Sequence, residues 1–290
     1  MPALDCFSPM PVIESALHDR IASRDLPAGL AEALRYALLG GGKRIRPLLA
    51  WHACVAAGAP GERSLPAGVA VEFVHAFSLV HDDLPALDND DVRRGRPTLH
   101  RHAGEAMAIL AGDALLALAF DVLSREPPPA LGQALCAELT AGTSAMIVGQ
   151  VYDTLGGLPH EIAGAERVRL VHRNKTGALM RAACRMGALL GGVGAGPRLG
   201  AITAFGDAVG LMFQVVDDLI DVEQPADHAG KRTGKDSVAG KLTFPGVLGV
   251  EGSRAEVERL EREALAAVAG LGPSSGGLAD LCRAMSSRTR

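Results

Sequence analysis

Apolar residues recur along this chain at helical spacing. Val69, Phe73, Ala76 and Val80 step by four, three and four, and Phe205, Val209, Met212 and Val216 repeat that pattern. Alternating strand patterns are absent, and aromatic residues are only 3% of the chain, which argues against a sheet protein. Breaks are predicted at "SREPPPALG", "GGVGAGPR", "QPADHAGKRTGK" and "GLGPSSGG". Between them fit roughly ten or more helices, several of them long. The expected fold is all-α, a helical bundle around a central cavity. No long linker divides the chain, and the chemical motifs run from residue 43 to residue 241, so residues 1–290 are read as a single domain.

Bulk properties narrow the functional classes. At 48% apolar and 21% charged, the 290-residue chain is too apolar for disorder. A formal charge of −4 gives no reason to expect nucleic acid as a partner. No uncharged apolar run reaches about 18 residues, so no membrane span is expected. Asp5 and the lack of a basic region before an apolar stretch argue against a signal peptide. The five cysteines, Cys6, Cys54, Cys136, Cys184 and Cys282, form no C-x-x-C pair and no even framework. They fit reduced thiols in a cytoplasmic protein better than disulfides or a zinc site.

The chemistry is concentrated where apolar helices end. "VHDDLPALD" at 80–88 and "VVDDLIDVE" at 215–223 each place an Asp pair at the polar end of an oily helix. In the second, Asp217 and Asp221 are i and i+4 on one face, which Gln214 and Gly210 extend backward, while Asp218 lies about 100° round. Like charges at i, i+4 repel, and carboxylates at a helix C-terminus are opposed by the macrodipole. Either these are solvated helix ends, or something positive compensates. Mg²⁺ is the natural candidate: a hard ion held by one or two carboxylates together with a substrate's phosphates. In the first cluster an ideal helix would point Asp82 and Asp88 about 120° apart. Pro85 cannot donate to the helix ladder, so a bulge is expected to bring them toward a shared metal, with Asp83 between. His75, Leu79 and Asp82 share a face, so His75 could look into the same cavity. "DNDDVRRG" lacks the ligand spacing of an EF-hand.

Cations accompany both clusters. "GGGKRIRP" puts Lys43, Arg44 and Arg46 behind three glycines that permit close backbone approach, although it is not a Walker A loop. Arg93 and Arg94 follow the first Asp cluster, Lys175 and Thr176 sit in "RNKTGAL", and Lys231 and Lys241 sit in "GKRTGKDSVAGK". Each alone reads as a surface charge. Together with two metal-type acidic clusters they point to diphosphate chemistry, in which Arg and Lys take phosphate oxygens and magnesium bridges them to aspartate. No Cys–His or Ser–His–Asp pattern offers a nucleophile.

"GGKRIRP", "DDLPALD" with "RRG" following, "GQVYD", "NKTGAL", "FQVVDDLID" and "GKLTFP" are a recognisable set in a recognisable order. Over nearly its whole length the sequence resembles the short-chain trans-polyprenyl diphosphate synthases, most closely the bacterial farnesyl diphosphate synthases. The resemblance implies an all-α isoprenoid-synthase fold, a homodimer, and head-to-tail condensation of isopentenyl diphosphate with an allylic diphosphate (dimethylallyl or geranyl). It implies Asp82, Asp88 and Asp217 as leading Mg²⁺ ligands, with Asp83 and Asp221 assisting and Asp218 completing the acidic set. It implies Arg93, Lys175 and Lys231 on the allylic diphosphate, and Lys43, Arg46, His75 and Arg94 on the isopentenyl diphosphate. Thr176 and Gln214 would turn oxygen dipoles toward the allylic cation, and Lys241 would support the second cluster.

Chain length depends on the cavity floor in this family. Phe77 and Ser78 lie five and four residues before Asp82, about 6–8 Å along the helix axis. A bulky aromatic at the fifth position favours the fifteen-carbon product, although ordinary core packing would also account for Phe77. A geranylgeranyl diphosphate synthase is the alternative. A terpene cyclase would not need Lys43, Arg46 and Arg94, and a non-catalytic synthase subunit should have lost one Asp cluster. Two departures stand out. Lys235 has no assigned role. Arg288 and Arg290, in a loosely matching C-terminus, belong either near the active-site mouth or to a frayed tail, and the tail is the favoured reading.

Overall fold

The computed structural model describes residues 5–223 and 242–289. Lys231, Lys235, Lys241 and Arg290 lie outside the described residues. Among the described residues the chain is all-helical apart from one short hairpin. Helices α1 (Met10–Ala22), α2 (Ala28–Leu38) and α3 (Ile45–Ala57) lead into α4 (Leu65–Asp82). After the hairpin of β1 (Val92–Arg93) and β2 (Arg96–Pro97) come α5 (Leu99–Ala103), α6 (Glu105–Arg125), α7 (Pro129–Thr154) and α8 (Ala165–His172). A π-helical turn, Arg173–Gly177, joins α8 to α9 (Ala178–Leu190). Then follow α10 (Pro197–Glu223), α11 (Phe244–Ala269) and α12 (Gly276–Ser286).

The predicted stripes are core. Val69, Phe73, Ala76 and Val80 are buried on α4, and Phe205, Val209, Met212 and Val216 on α10. One hydrophobic cluster runs from Cys6 to Met285. Three of the predicted breaks fall between helices: residues 126–128, 191–196 and 270–275; the fourth lies outside the described residues. The hairpin has no sequence signature, because two-residue strands are too short to show a period.

Close helix approach positions the site. α9 runs against α3 where Gly187 meets the Ala50 carbonyl, and any Cβ at Gly187 would overlap it. A Cβ at Gly210 on α10 would stand 2.6 Å from Gly177 Cα, so α10 touches the π-turn backbone to backbone. A Cβ at Gly149 on α7 would overlap the backbone of Asn174 and Lys175. The π-turn is therefore clamped between α7 and α10. By length and composition α4, α6, α7 and α10 could each cross a membrane, but α4 and α10 bury most of their apolar windows inside the bundle.

Candidate active site

Helix α4 starts at Leu65–Pro66, where proline is tolerated, and ends at Asp82 just before Pro85. The chain then folds back: the Asp88 N–H donates to the Asp82 carbonyl at 2.9 Å and the Asn89 N–H to Leu84 at 3.1 Å. Asn89 adopts φ 50°, a left-handed conformation that asparagine tolerates. This return brings Asp88 beside Asp82. Burial pushes the Asp82 carboxyl up to about 6; Lys175 and Arg93 pull it down, and Asp88 and Asp83 push it further up. Asp83 is buried and forms an ion pair with Arg93 at 2.6 and 2.8 Å. Asp83 and Arg93 are thus held by each other, a pairing that neither residue's sequence context reveals.

The second cluster splits the same way. Asp217 is half-buried; desolvation raises its carboxyl, while Arg288 and Lys43 oppose the rise. Arg288 Nη1 stands 3.0 Å from Asp217 Oδ1, and its guanidinium lies 5.1 Å from the Phe213 ring centroid. The structure therefore corrects the reading of Arg288 as frayed tail. A carboxylate 71 positions earlier, invisible to local sequence reading, holds it at the site.

Asp218, by contrast, is buried and fully engaged. It accepts from His172 Nε2 at 3.2 Å, Gln214 Nε2 at 3.1 Å and the Phe244 N–H at 3.0 Å. The His172 ring stacks on Phe244 at 5.5 Å. Thr176 Oγ1 donates to Gln214 Oε1 at 2.9 Å. Asp218 thus ties α8, α10 and the start of α11 together, and Asp217, one residue earlier, is left to the cations. Asp221 shares the face of Asp217, one turn on.

Lys175 leaves the π-turn to donate to Asp153 at 2.6 Å, and its charge also reaches Asp82. π-turns aim side chains where an unbroken α-helix would not. Asp153, at the end of "GQVYD", and His172 carry geometry that sequence reading passed over. The motif was the only signal for Asp153, and nothing local marked His172.

The remaining cations converge from the other side. The His75 imidazole is held well below its ordinary value, first by burial and then by Arg46, Arg94, Arg93 and Arg44. It is neutral at physiological pH. Lys43 is pushed down by partial desolvation and Arg288, and pulled back by Asp217. Arg46 Nε is buried without a partner. Arg44 turns away to structure: in a left-handed conformation (φ 47°), it binds Glu14, Glu72 and the Leu38 carbonyl. Arg94, also left-handed (φ 54°), donates to the Gly41 carbonyl, and a Cβ at Gly42 would stand 2.8 Å from its guanidinium. The glycines ahead of Lys43 thus receive an arginine from the hairpin. A shallow cleft between α2, α4 and this hairpin is lined by Leu79, Asp83, Arg93 and Arg94.

Phe77 is buried on α4, edge-on to His81 at 4.9 Å, and the Ser78 hydroxyl turns back to the His75 carbonyl at 2.9 Å. Among the described residues no three carboxylate, imidazole or thiol groups converge as a ready-made metal cage. Magnesium does not require one, since it is commonly held by one or two carboxylates and a substrate's phosphates. Asp82 and Asp217, raised by burial, are each a hard carboxylate of the kind that magnesium accepts.

Solved structures share this architecture, and a plant protein shares the sequence. An apo FPP/GFPP synthase from Zymomonas mobilis superposes with a TM-score of 0.82 at 33% identity, covering 96% of this chain and 95% of that one. Geranylgeranyl pyrophosphate synthetase from Pyrococcus horikoshii superposes with a TM-score of 0.86 at 27% identity, covering 97% of each chain. The chloroplastic heterodimeric geranylgeranyl pyrophosphate synthase large subunit 1 of Arabidopsis thaliana is 42% identical over 261 residues, 87% of this chain and 70% of that protein. Residues 27–268 match the polyprenyl synthetase family, and the chain belongs to that family of prenyltransferases.

Proposed function

We propose that the protein condenses isopentenyl diphosphate head-to-tail with dimethylallyl or geranyl diphosphate and releases farnesyl diphosphate. One observation carries the reading. Asp82 and Asp217 are carboxylates raised by burial, each with lysine and arginine charges acting on it, and four arginines act on the neutral imidazole of His75. Such a site is electrostatically incomplete without a cation and an anion together.

Magnesium, held by Asp82, Asp88 and Asp217 with Asp221 assisting, would supply charge stabilisation for the departing diphosphate. Lys175, fixed by Asp153, donates to that diphosphate from the opposite wall and needs no reorganisation to do so. Arg93, held against Asp83, presents its remaining N–H groups, and Lys231 belongs to the same role. Lys43, Arg46, Arg94 and His75 hold the second diphosphate and set its double bond at attack distance. Thr176 and Gln214 are locked to each other and to Asp218, so their oxygens form a fixed dipole beside the allylic carbon. Lys241 supports the second cluster from the segment between α10 and α11. The apolar residues of α4 below Asp82 exclude water from the cation. The released diphosphate takes the proton from the new chain.

Phe77 sets the floor one turn and a half below Asp82 and limits growth to fifteen carbons. The twenty-carbon product is the second reading, because the Arabidopsis relative is a geranylgeranyl synthase subunit. The purified chain is incubated with Mg²⁺, isopentenyl diphosphate and each allylic primer, and products are separated by chain length. Farnesyl diphosphate as main product is expected. Mainly twenty-carbon product refutes the length assignment, and no condensation at all refutes the activity. Phe77→Ala should lengthen the product.

A homodimer belongs to the same reading. α6 and α7 leave Ile109, Leu110, Ile147, Val148, Val151 and Leu155 exposed, a stripe suited to a second copy of the chain. Sedimentation of Val148→Asp as a monomer, against a wild-type dimer, tests it. The setting is cytoplasmic, consistent with the five unpaired thiols.

A further inference from the structure

We propose that His81, seated in a socket made by Gly112, is a positioning residue for product length: it braces the Phe77 ring and so fixes the depth of the growth cavity. The proposal rests on the reading of Phe77 as the floor.

Phe77 and His81 are i and i+4 on α4, so their side chains lie one above the other on the helix surface. Their ring centroids are 4.9 Å apart and the planes meet at 75°, an edge-to-face contact. The imidazole is fixed in turn by α6. His81 Nε2 lies 3.1 Å from the Ile109 carbonyl oxygen. A carbonyl only accepts, so Nε2 carries the proton and the ring's rotation is set. The ring occupies the space where a side chain at position 112 would begin: a Cβ on Gly112 would overlap Nε2 and Cδ2. Asp113 Oδ1 stands 4.0 Å from Nε2 on the outer side. One hydrogen bond and one glycine socket thus hold a ring whose other neighbour is Phe77.

Phe77 is itself 9% exposed, so its ring moves only where a neighbour yields. His81 does not yield. Leucine in its place offers Phe77 no aromatic edge and the Ile109 carbonyl no donor, so the side chain is no longer pinned and Phe77 loses its brace. The Phe77 ring would then swing toward α6 and the floor would drop. His81 adjoins Asp82, yet it faces α6 and acts on chain length through another side chain.

The test is a double-mutant cycle on product distribution. Wild type, His81→Leu, Phe77→Ala and the double variant receive Mg²⁺, isopentenyl diphosphate and geranyl diphosphate. The ratio of products longer than fifteen carbons to farnesyl diphosphate is read by chromatography, and this ratio is independent of overall rate. His81→Leu should raise the ratio roughly two- to tenfold, the range set by losing one edge-to-face aromatic contact. In the Phe77→Ala background it should add nothing, because the braced ring is gone. If Phe77→Ala lengthens the product and His81→Leu does not, the brace is overturned and the floor assignment stands. An equal effect in both backgrounds also overturns it, since His81 would then act independently of Phe77. If neither single variant lengthens the product, the floor assignment itself falls. Should His81→Leu fold poorly, His81→Gln keeps a donor for the Ile109 carbonyl without the aromatic edge, and the same criteria apply.

Discussion

Replacing Asp82 with asparagine should stabilise the metal-free protein while abolishing its chemistry. In the fold the Asp82 carboxyl titrates near 6, against an ordinary value of 3.8. Burial is the main cause, and the neighbouring charges of Asp88 and Asp83 add to it. The sign follows from linkage. The unfolded chain gives up this proton first, so the contribution of Asp82 is harmless below about pH 4, and stability is lost as pH rises through the folded value. A shift of about two pK units corresponds to ~3 kcal/mol, and water entry around a half-buried group reduces this to ~1–2 kcal/mol. The amide of the variant carries no charge and escapes that penalty. Urea denaturation in EDTA should show wild type losing stability between pH 4 and 7, and Asp82→Asn losing ~1–2 kcal/mol less across the same window. Mg²⁺ with inorganic pyrophosphate at 100-fold over its Kd should stabilise wild type by ~2.7 kcal/mol and the variant far less. A variant less stable than wild type at pH 8, with unchanged pH dependence, would refute the claim that this carboxylate awaits a cation.

Other perturbations separate framework from chemistry. Asp218→Ala strands three buried donors, from His172, Gln214 and Phe244. It should cost ~3–5 kcal/mol in urea denaturation, the opposite sign to Asp82→Asn. Gly149→Ala drives a methyl into the backbone of Lys175 and should lower kcat at least tenfold and stability by ~2 kcal/mol, checked by steady-state kinetics and thermal melting. Arg288→Ala removes the cation facing Asp217 and should raise the Asp217 carboxyl further, seen as a steeper loss of stability with rising pH in EDTA.

The helical stripes on α4 and α10 were legible because period survives without tertiary context. The bend after Asp82 was legible because Pro85 lacks an N–H. Which carboxylate is locked by protein partners and which is left to the proposed metal was not. Asp82 and Asp83 are neighbours in sequence with opposite fates, decided by where Arg93 folds back. Asp217 and Asp218 part for the same reason, with partners drawn from α8, α11 and the C-terminal end of the chain. Adjacent helical residues point about 100° apart, so the sequence announces that their surroundings differ but not what those surroundings are.

The π-turn at Arg173–Gly177 matters for insertions and deletions. It absorbs one residue more than a regular turn would, so α8 and α9 keep a common phase while the turn's own side chains are re-aimed. Deleting one residue there would let the backbone heal into ordinary helix. His172, upstream of the turn, would keep Asp218, but Lys175 would lose its aim at Asp153. Such a shortened chain should fold and still fail to seat its diphosphate. The count of residues in this stretch is therefore as much a functional quantity as their identity.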